Sequence, residues 1–352
     1  MARRGQLRAE RRPEPTRGRR PLPRWQTEQR RQRIAMAVGA AVLLFIVALP
    51  IWGYITTFVI PPRKVVANIN GTTITLRDLL KNLRVLQRGA EATGQPLDMS
   101  TLPFNILNTL VEDEIISQKA AQLGIAVGTD EVDAEVRTRF LGATTETDPK
   151  VLETDLKERL RQYLNFVQLS DEEFQKQVRA VLLRVKAREA VGREVPPIQP
   201  QVHLYQITVA NEETLKKVQG LAEAGTPFAE LVKQYEVNEQ AKGREGEVGW
   251  FTRGVLGPSN DKIFDLKEGK LSDPGQQENG NFVLLTVKER AAAREVERAQ
   301  LDKLKSDALT EWINTQRKEQ EVNTNFSSAQ YDWVVKQLGA SARAVPTPAG
   351  RR

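Results

Sequence analysis

GREGEVGWF at residues 243–251, followed by IFDLKEGKLSDP at 263–274, is the part of this chain whose reading decides its fold. Both stretches lie between segments that read as regular structure. Residues 203–209 predict a strand, 212–224 and 227–235 two helices, and 281–287 a closing strand. Pro196, Pro197 and Pro200 break what precedes and read as a linker, so a new domain of strands and helices is expected to start there.

Upstream of that linker the pattern is helical. Val65-Val66-Ala67-Asn68-Ile69 alternates toward Asn70-Gly71 and Thr73-Ile74-Thr75 returns, so a hairpin is expected. Thr75 with Asp78 reads as a variant capping box for a helix whose apolar stripe is Leu76, Leu79, Leu80 and Leu83. A second helix is expected from near Pro103 to before Gly124, a third capped by Thr129 and running to about Phe140, and a fourth over 150–167. A fifth, capped by Ser170 with Glu173 in the box position, is expected over 171–192. Glu112, Asp113 and Glu114 are consecutive, and consecutive residues on a helix do not face one another, so they read as a solvated face rather than an acid/base pair.

The amino-terminal end differs in kind. Residues 1–33 hold twelve Arg and three Glu, net +9, while the whole chain carries +7, so the other 319 residues sum to 7 − 9 = −2. The basicity therefore belongs to the tail, and nucleic acid is not expected as a partner. From Ile34 to Ile60 no residue is charged, a length that crosses a hydrocarbon layer of about 30 Å. Arg-rich sequence before this run and only Arg63 and Lys64 close behind it predict one membrane pass, with the tail in the cytoplasm and the body outside. A cleaved signal peptide with Ala35 to Leu49 as its apolar region is the rival reading, and it too predicts export. The absence of cysteine excludes disulfides, thiolate metal sites, a cysteine nucleophile and cysteine lipidation.

Residues 290–322 read as a charged helix, 331–338 as a short one, and the Ala/Pro/Arg sequence from Ser341 as a disordered tail.

VVANINGTTITLRDL (65–79) and ILNTLVEDEIISQKAAQLGIAVGTDEVDAEV (106–136) resemble the amino-terminal helical domain of SurA-like periplasmic chaperones and their single-span, PpiD-like relatives. GTPFAELVKQY (225–235), Gly246-Glu247-Val248-Gly249-Trp250-Phe251 and the 263–274 segment resemble the parvulin, or PpiC-type, peptidyl-prolyl isomerases. ALTEWINTQRKEQEV (308–322) resembles the helix that, in SurA-like proteins, returns to complete the helical module. The fold these resemblances imply is α+β: one N-terminal transmembrane helix, a SurA-like helical module over 65–195, and an inserted parvulin-like domain with a small antiparallel sheet over 201–291. Helices over 292–338 would pack back on the module, and 339–352 would form the tail.

The family site has two histidines, a nearby acid or cysteine, and an apolar proline pocket. The resemblance places these on Gln206, Phe282 and Asn238, with the pocket near Val255 or Leu256 and on Ser259, so both histidines are replaced. Trp250, Phe251, Leu256 and Phe264 are the implied substrate-binding residues. His203, three positions from Gln206 and the only histidine, is expected on the opposite face of its strand as a surface or edge residue, and no metal or cofactor is expected. Three function classes follow: a chaperone for unfolded or newly exported polypeptides with a degenerate isomerase domain, an active prolyl isomerase with an altered site, or a membrane scaffold. The chaperone reading adds the translocation machinery as a candidate partner and an apolar groove between the 65–190 helices and the C-terminal helix as the candidate binding surface.

Overall fold

The computed structural model describes residues 36, 39–40, 43–142 and 148–343. The chain divides into two units, residues 1–63 and residues 64–352. In the first, the basic tail and several positions of the expected span (34, 35, 37, 38, 41 and 42) lie outside the described residues. Residues 43–54 are helical, a π-helical turn follows at Ile55–Val59, and a 3-10 turn at Pro61–Arg63. Leu43, Leu44, Phe45 and Trp52 are exposed. Among the described residues, no helix is long and apolar enough to cross a membrane.

The second unit opens with the expected hairpin, β1 (Val65–Ile69) against β2 (Thr72–Thr75). Its turn places Asn70 and Gly71 at φ 48° and 89°, the left-handed pair that makes a tight hairpin favour Asn-Gly. The helix α1 (Leu76–Thr93) starts at Thr75, whose hydroxyl accepts from the Asp78 amide while the Asp78 carboxylate accepts from the Thr75 amide. Next come α2 (Leu102–Lys119), α3 (Thr129–Leu141), α4 (Pro149–Val167) and α5 (Asp171–Val191), the last capped by Ser170 and Glu173. The cap of α3 is Gly128, whose amide is held by Glu131, and Thr129 is the first helical residue rather than the cap.

Two apolar cores form here. Val66, Leu76, Leu83, Val111 and Ile115 join Leu183 and Ala187 of α5 in the larger core. Val132, Val136, Leu156, Phe174 and Val178 make the smaller, with Phe140, Tyr163 and Phe174 meeting edge to face. Glu112 and Asp113 are not a solvated face: both carboxylates reach Arg184 on α5, at 3.0 and 2.7 Å. Burial pushes the Asp113 carboxyl up from its ordinary range, and the Arg184 guanidinium opposes that shift.

The C-terminal part returns as expected, with different bounds. The helix α9 (Arg298–Glu319) begins later than expected because residues up to Glu295 are strand. It contributes Leu309 and Ile313 to the larger core, and α10 (Ser328–Arg343) contributes Val334 and Leu338. Between them, β7 (Val322–Thr324) pairs with β1 and completes a sheet of order β2-β1-β7. At Leu309, Ile313, Val334 and Leu338 the C-terminal helices are packed into the core of the helical module, where a groove was expected. Residues 341–343 are helical rather than tail, and 344–352 lie outside the described residues.

The remaining domain is an antiparallel sheet of order β4-β3-β6-β5. It comprises β3 (Ile198–Val209), β4 (Glu247–Thr252), β5 (Gly275–Gln276) and β6 (Phe282–Glu295). Helices α6 (Glu212–Glu223), α7 (Phe228–Tyr235) and α8 (Glu239–Gly243) lie between β3 and β4. The end of the expected linker is strand as well: Ile198 pairs with Glu295 and Gln199 with Arg294, and the register shifts between Gln199 and Gln201, where Pro200 lacks a ladder donor.

Candidate functional site

Strand alternation divides the sheet into two faces. Ile207, Val209 and Leu284 pack with Leu215, Val218, Leu231 and Val232 of α6 and α7. Val202, Leu204 and Val287 pack on the other side with Ile263 and Phe264, and with Phe251, Leu256 and Leu285 at their margin. Gln206 shares the parity of Leu204, so it belongs to this second face. Its partner across the ladder is Leu285, and Thr208 is opposite Val283. The Gln206 side-chain Nε2 donates to the Thr208 hydroxyl at 3.3 Å.

A cavity of about 510 Å³ opens on this face. Val283 and Leu285 form its floor, Ile263 and Leu266 one wall, and the segment from Leu271 to Gln277 the other. Ser272 fixes that segment to β6: its amide donates to the Leu285 carbonyl at 2.7 Å, and its hydroxyl accepts from the Leu285 amide at 3.0 Å. The floor is apolar, with the neutral Gln206–Thr208 pair beside it. Lys262 and Asp273 are the ionisable residues of the lining. Such a surface can bury a proline ring or an aliphatic side chain and offer an amide donor, and it has no base on its floor.

The sequence-predicted residues do not all meet there. Phe251, Leu256 and Phe264 belong to the apolar cluster of this face, and Phe264 is buried at 8% exposure, a packing residue. Phe282 falls on the helix-covered face, opposite Val209, so it cannot pair with Gln206; the site-face residue at that point is Val283. Asn238 is exposed and serves as the cap of α8, its side-chain oxygen accepting from the Gln240 and Ala241 amides at 2.9 and 3.2 Å. Trp250 also lies on the other face, stacked on His203 at 4.7 Å with the Arg294 guanidinium 4.6 Å from its ring. The side chain of Ser259 lies outside the described part of the chain. Among the described residues, no group of three or more His, Asp or Glu is placed to hold a metal ion.

His203 departs from its expected setting. It does point away from Gln206, yet it is in an interior strand, 9% exposed, with Nε2 2.7 Å from Glu247 and Nδ1 3.1 Å from Glu289. Sequence reasoning also missed Glu236, which is buried after α7 and accepts from the Thr208 and Asn238 amides at 2.7 and 2.8 Å, tying the α7–α8 turn to the site strand. Gly246 forms the other tie. Its carbonyl accepts from the Gln206 amide at 2.7 Å, and at φ 80° a Cβ there would sit 2.4 Å from the Gln206 carbonyl oxygen. Only glycine fits this approach.

Residues 27–177 match the family described as the SurA-like N-terminal domain, and residues 206–289 match the PPIC-type PPIase domain. Each match is to a part of the chain, a SurA-like N-terminal domain in the first half and a PPIC-type domain in the second. The chain is similar to the foldase protein PrsA of Halalkalibacterium halodurans, 26% identical over 205 residues, covering 54% of this chain and 60% of that relative. The PrsA foldase of Caldanaerobacter subterraneus is 28% identical over 189 residues, 52% of this chain and 58% of that protein. The chain thus spans somewhat less than two thirds of the length of these relatives. A crystal structure of the PrsA peptidylprolyl isomerase from Bacillus anthracis aligns with 69% of this chain and 99% of its own, at 18% identity and a TM-score of 0.35.

Proposed function

We propose that this protein is a membrane-tethered, extracytoplasmic folding factor that holds unfolded or newly exported polypeptides, and that its parvulin-like domain grips extended segments with weak or no isomerase activity. The observation that carries the reading is the union, in one chain, of a SurA-like helical domain and a PPIC-type domain whose site face has no histidine and no ionisable floor. Rotation about a prolyl bond meets a barrier of about 18–20 kcal/mol and needs no nucleophile, so catalysis rests on preferring the twisted amide. The Gln206–Thr208 pair offers less polarity there than a histidine pair, while the apolar floor keeps the means to bind. Tethering follows from the uncharged run 34–60 behind the Arg-rich tail, and it would concentrate the body where chains emerge.

The test is suppression of aggregation of a reduced, denatured client protein by the full chain in detergent, paired with alkaline extraction of cell membranes. Suppression at near-stoichiometric ratio and retention in the membrane pellet are expected. A chain that leaves aggregation unchanged would contradict the chaperone reading, and release by alkali would contradict the span. A working isomerase with an altered site is the second reading, favoured by the size and apolar lining of the 510 Å³ cavity.

A further inference from the structure

The cavity beside Gln206 holds more than a single ring. Its volume of about 510 Å³ falls in the range, about 300–1,000 Å³, that takes up a whole small ligand. Residues on either side of a bound proline therefore enter it as well, and the walls decide which ones are accepted. Much of the lining is apolar or neutral. Lys262, on the wall that holds Ile263 and Leu266, and Asp273, on the segment opposite, carry its charge.

Neither charge is neutralised within the protein. Charged groups around the same wall are tied down: Asp265 binds Arg253 at 2.7 Å, the Asp261 carboxylate accepts from the Gly254 amide at 3.1 Å, and Arg290 donates to the Phe264 carbonyl at 2.7 Å. Lys262 and Asp273 are both exposed, and among the described residues neither forms an ion pair, with the other or with a third group. Their backbones, by contrast, are fixed. Lys262 follows the bonded Asp261 and precedes Ile263, which is 5% exposed. Asp273 follows Ser272, whose hydroxyl donates to the Asp273 carbonyl at 2.8 Å, and precedes Pro274. Two opposite charges thus stand on fixed stems at opposite walls of one opening, each without a partner charge.

We propose that the cavity selects extended segments in which a proline or aliphatic residue is flanked by an acidic side chain on one side and a basic one on the other, and that Lys262 and Asp273 set this preference. The apolar floor of Val283 and Leu285 takes the central residue, the Lys262 ammonium meets the acidic flank, and the Asp273 carboxylate meets the basic one. The reversed order of flanks sets like charge against like at both walls, so discrimination comes from repulsion as well as attraction. The Gln206 amide lies to one side of the floor, which makes the two chain directions unequal. What is selected is therefore the order of charges along the segment, and not its net charge. This deepens the reading of the cavity as a grip for unfolded segments and rests on it.

The experiment uses the full chain in nonionic detergent and three fluorescein-labelled peptides that share alanine ends and differ around one proline: Gln-Pro-Gln, Glu-Pro-Lys and Lys-Pro-Glu. Affinities are read by anisotropy. For the wild type, one charged order is expected to bind roughly threefold more tightly than the neutral peptide and the other roughly threefold more weakly, the weight of exposed charge pairs. In the double variant Lys262→Glu, Asp273→Lys the two orders should exchange places while the neutral peptide keeps its affinity. The neutral variant Lys262→Gln, Asp273→Asn should bind all three peptides alike, and it decides the matter if the charge-exchanged one fails to fold. Equal affinity of the three peptides for the wild type would overturn the proposal and leave the cavity as a grip without charge selection. A preference that is not reversed by the charge exchange, or that survives in the neutral variant, would overturn it as well. Binding by none of the three peptides would instead remove the grip reading, and the proposal with it.

Discussion

Gly246→Ala is the substitution on which the geometry of the site bears most heavily. Gly246 has φ 80°, a backbone region that disfavours an L side chain by about 1–2 kcal/mol. The added methyl would also stand 2.4 Å from the Gln206 carbonyl oxygen and 2.9 Å from a Val232 methyl, so β3 or the turn must move. Forced backbone shifts of this kind cost about 1–3 kcal/mol, which brings the expected loss to roughly 2–5 kcal/mol. Because Gln206 N–H bonds to the Gly246 carbonyl, the loss is local to the joint between β3 and the 243–251 turn. Native-state hydrogen exchange followed by mass spectrometry reads such a loss by segment. Peptides spanning 201–209 and 243–252 should exchange roughly 30- to 5,000-fold faster in the variant, while peptides from α1 and α2 keep wild-type rates. Unchanged protection in 201–209 would refute the argument that this glycine is required by the close approach to Gln206.

Two further perturbations test the helical module. Arg184→Leu removes the partner of the half-buried Glu112 and Asp113 carboxylates, and after discounting for partial exposure the full chain should lose about 1–2 kcal/mol at pH 7 in urea unfolding. An added Asp113→Asn should recover part of that loss, since burial alone raises the Asp113 carboxyl. Glu173 is the pH-dependent case: burial pushes its carboxyl up, but bonds from Lys81 and from the Ser170 amide prevail and hold it below its ordinary value. A depressed carboxyl stabilises the fold above its unfolded value of about 4.3, and that stabilisation is lost as pH falls through the folded value. Glu173→Gln should therefore lower stability by about 0.5–1 kcal/mol near pH 7, and the gap to wild type should close in acid; a gap that widens in acid would show the sign is wrong.

Local chemistry was what the sequence made legible. The Thr75–Asp78 and Ser170–Glu173 boxes and the Asn-Gly turn each need residues within a few positions of one another, so they appear in the structure as read. Long-range facts were less visible. FVLLTV (282–287) is apolar on both faces because α6 and α7 cover one side and the 263–266 segment the other. Alternation is thereby hidden, and Phe282 was placed where Val283 lies. Pro200 reads as a linker residue, yet a register shift admits it to β3. Gln300 carries no local signal, since its bond to the Trp250 carbonyl depends on α9 returning beside β4. His203 was read from its rarity and strand position, whereas its burial depends on Glu247, Glu289 and Trp250 arriving from two other strands.

The most direct test of the account is prolyl cis/trans exchange measured by NMR on a short Xaa-Pro peptide, with and without the full chain at a concentration that suppresses client aggregation. An apolar floor with a neutral Gln206–Thr208 pair beside it predicts exchange close to the uncatalysed rate alongside full suppression. Strong acceleration that disappears in Gln206→Ala would show that the altered site is a working isomerase and would contradict the account.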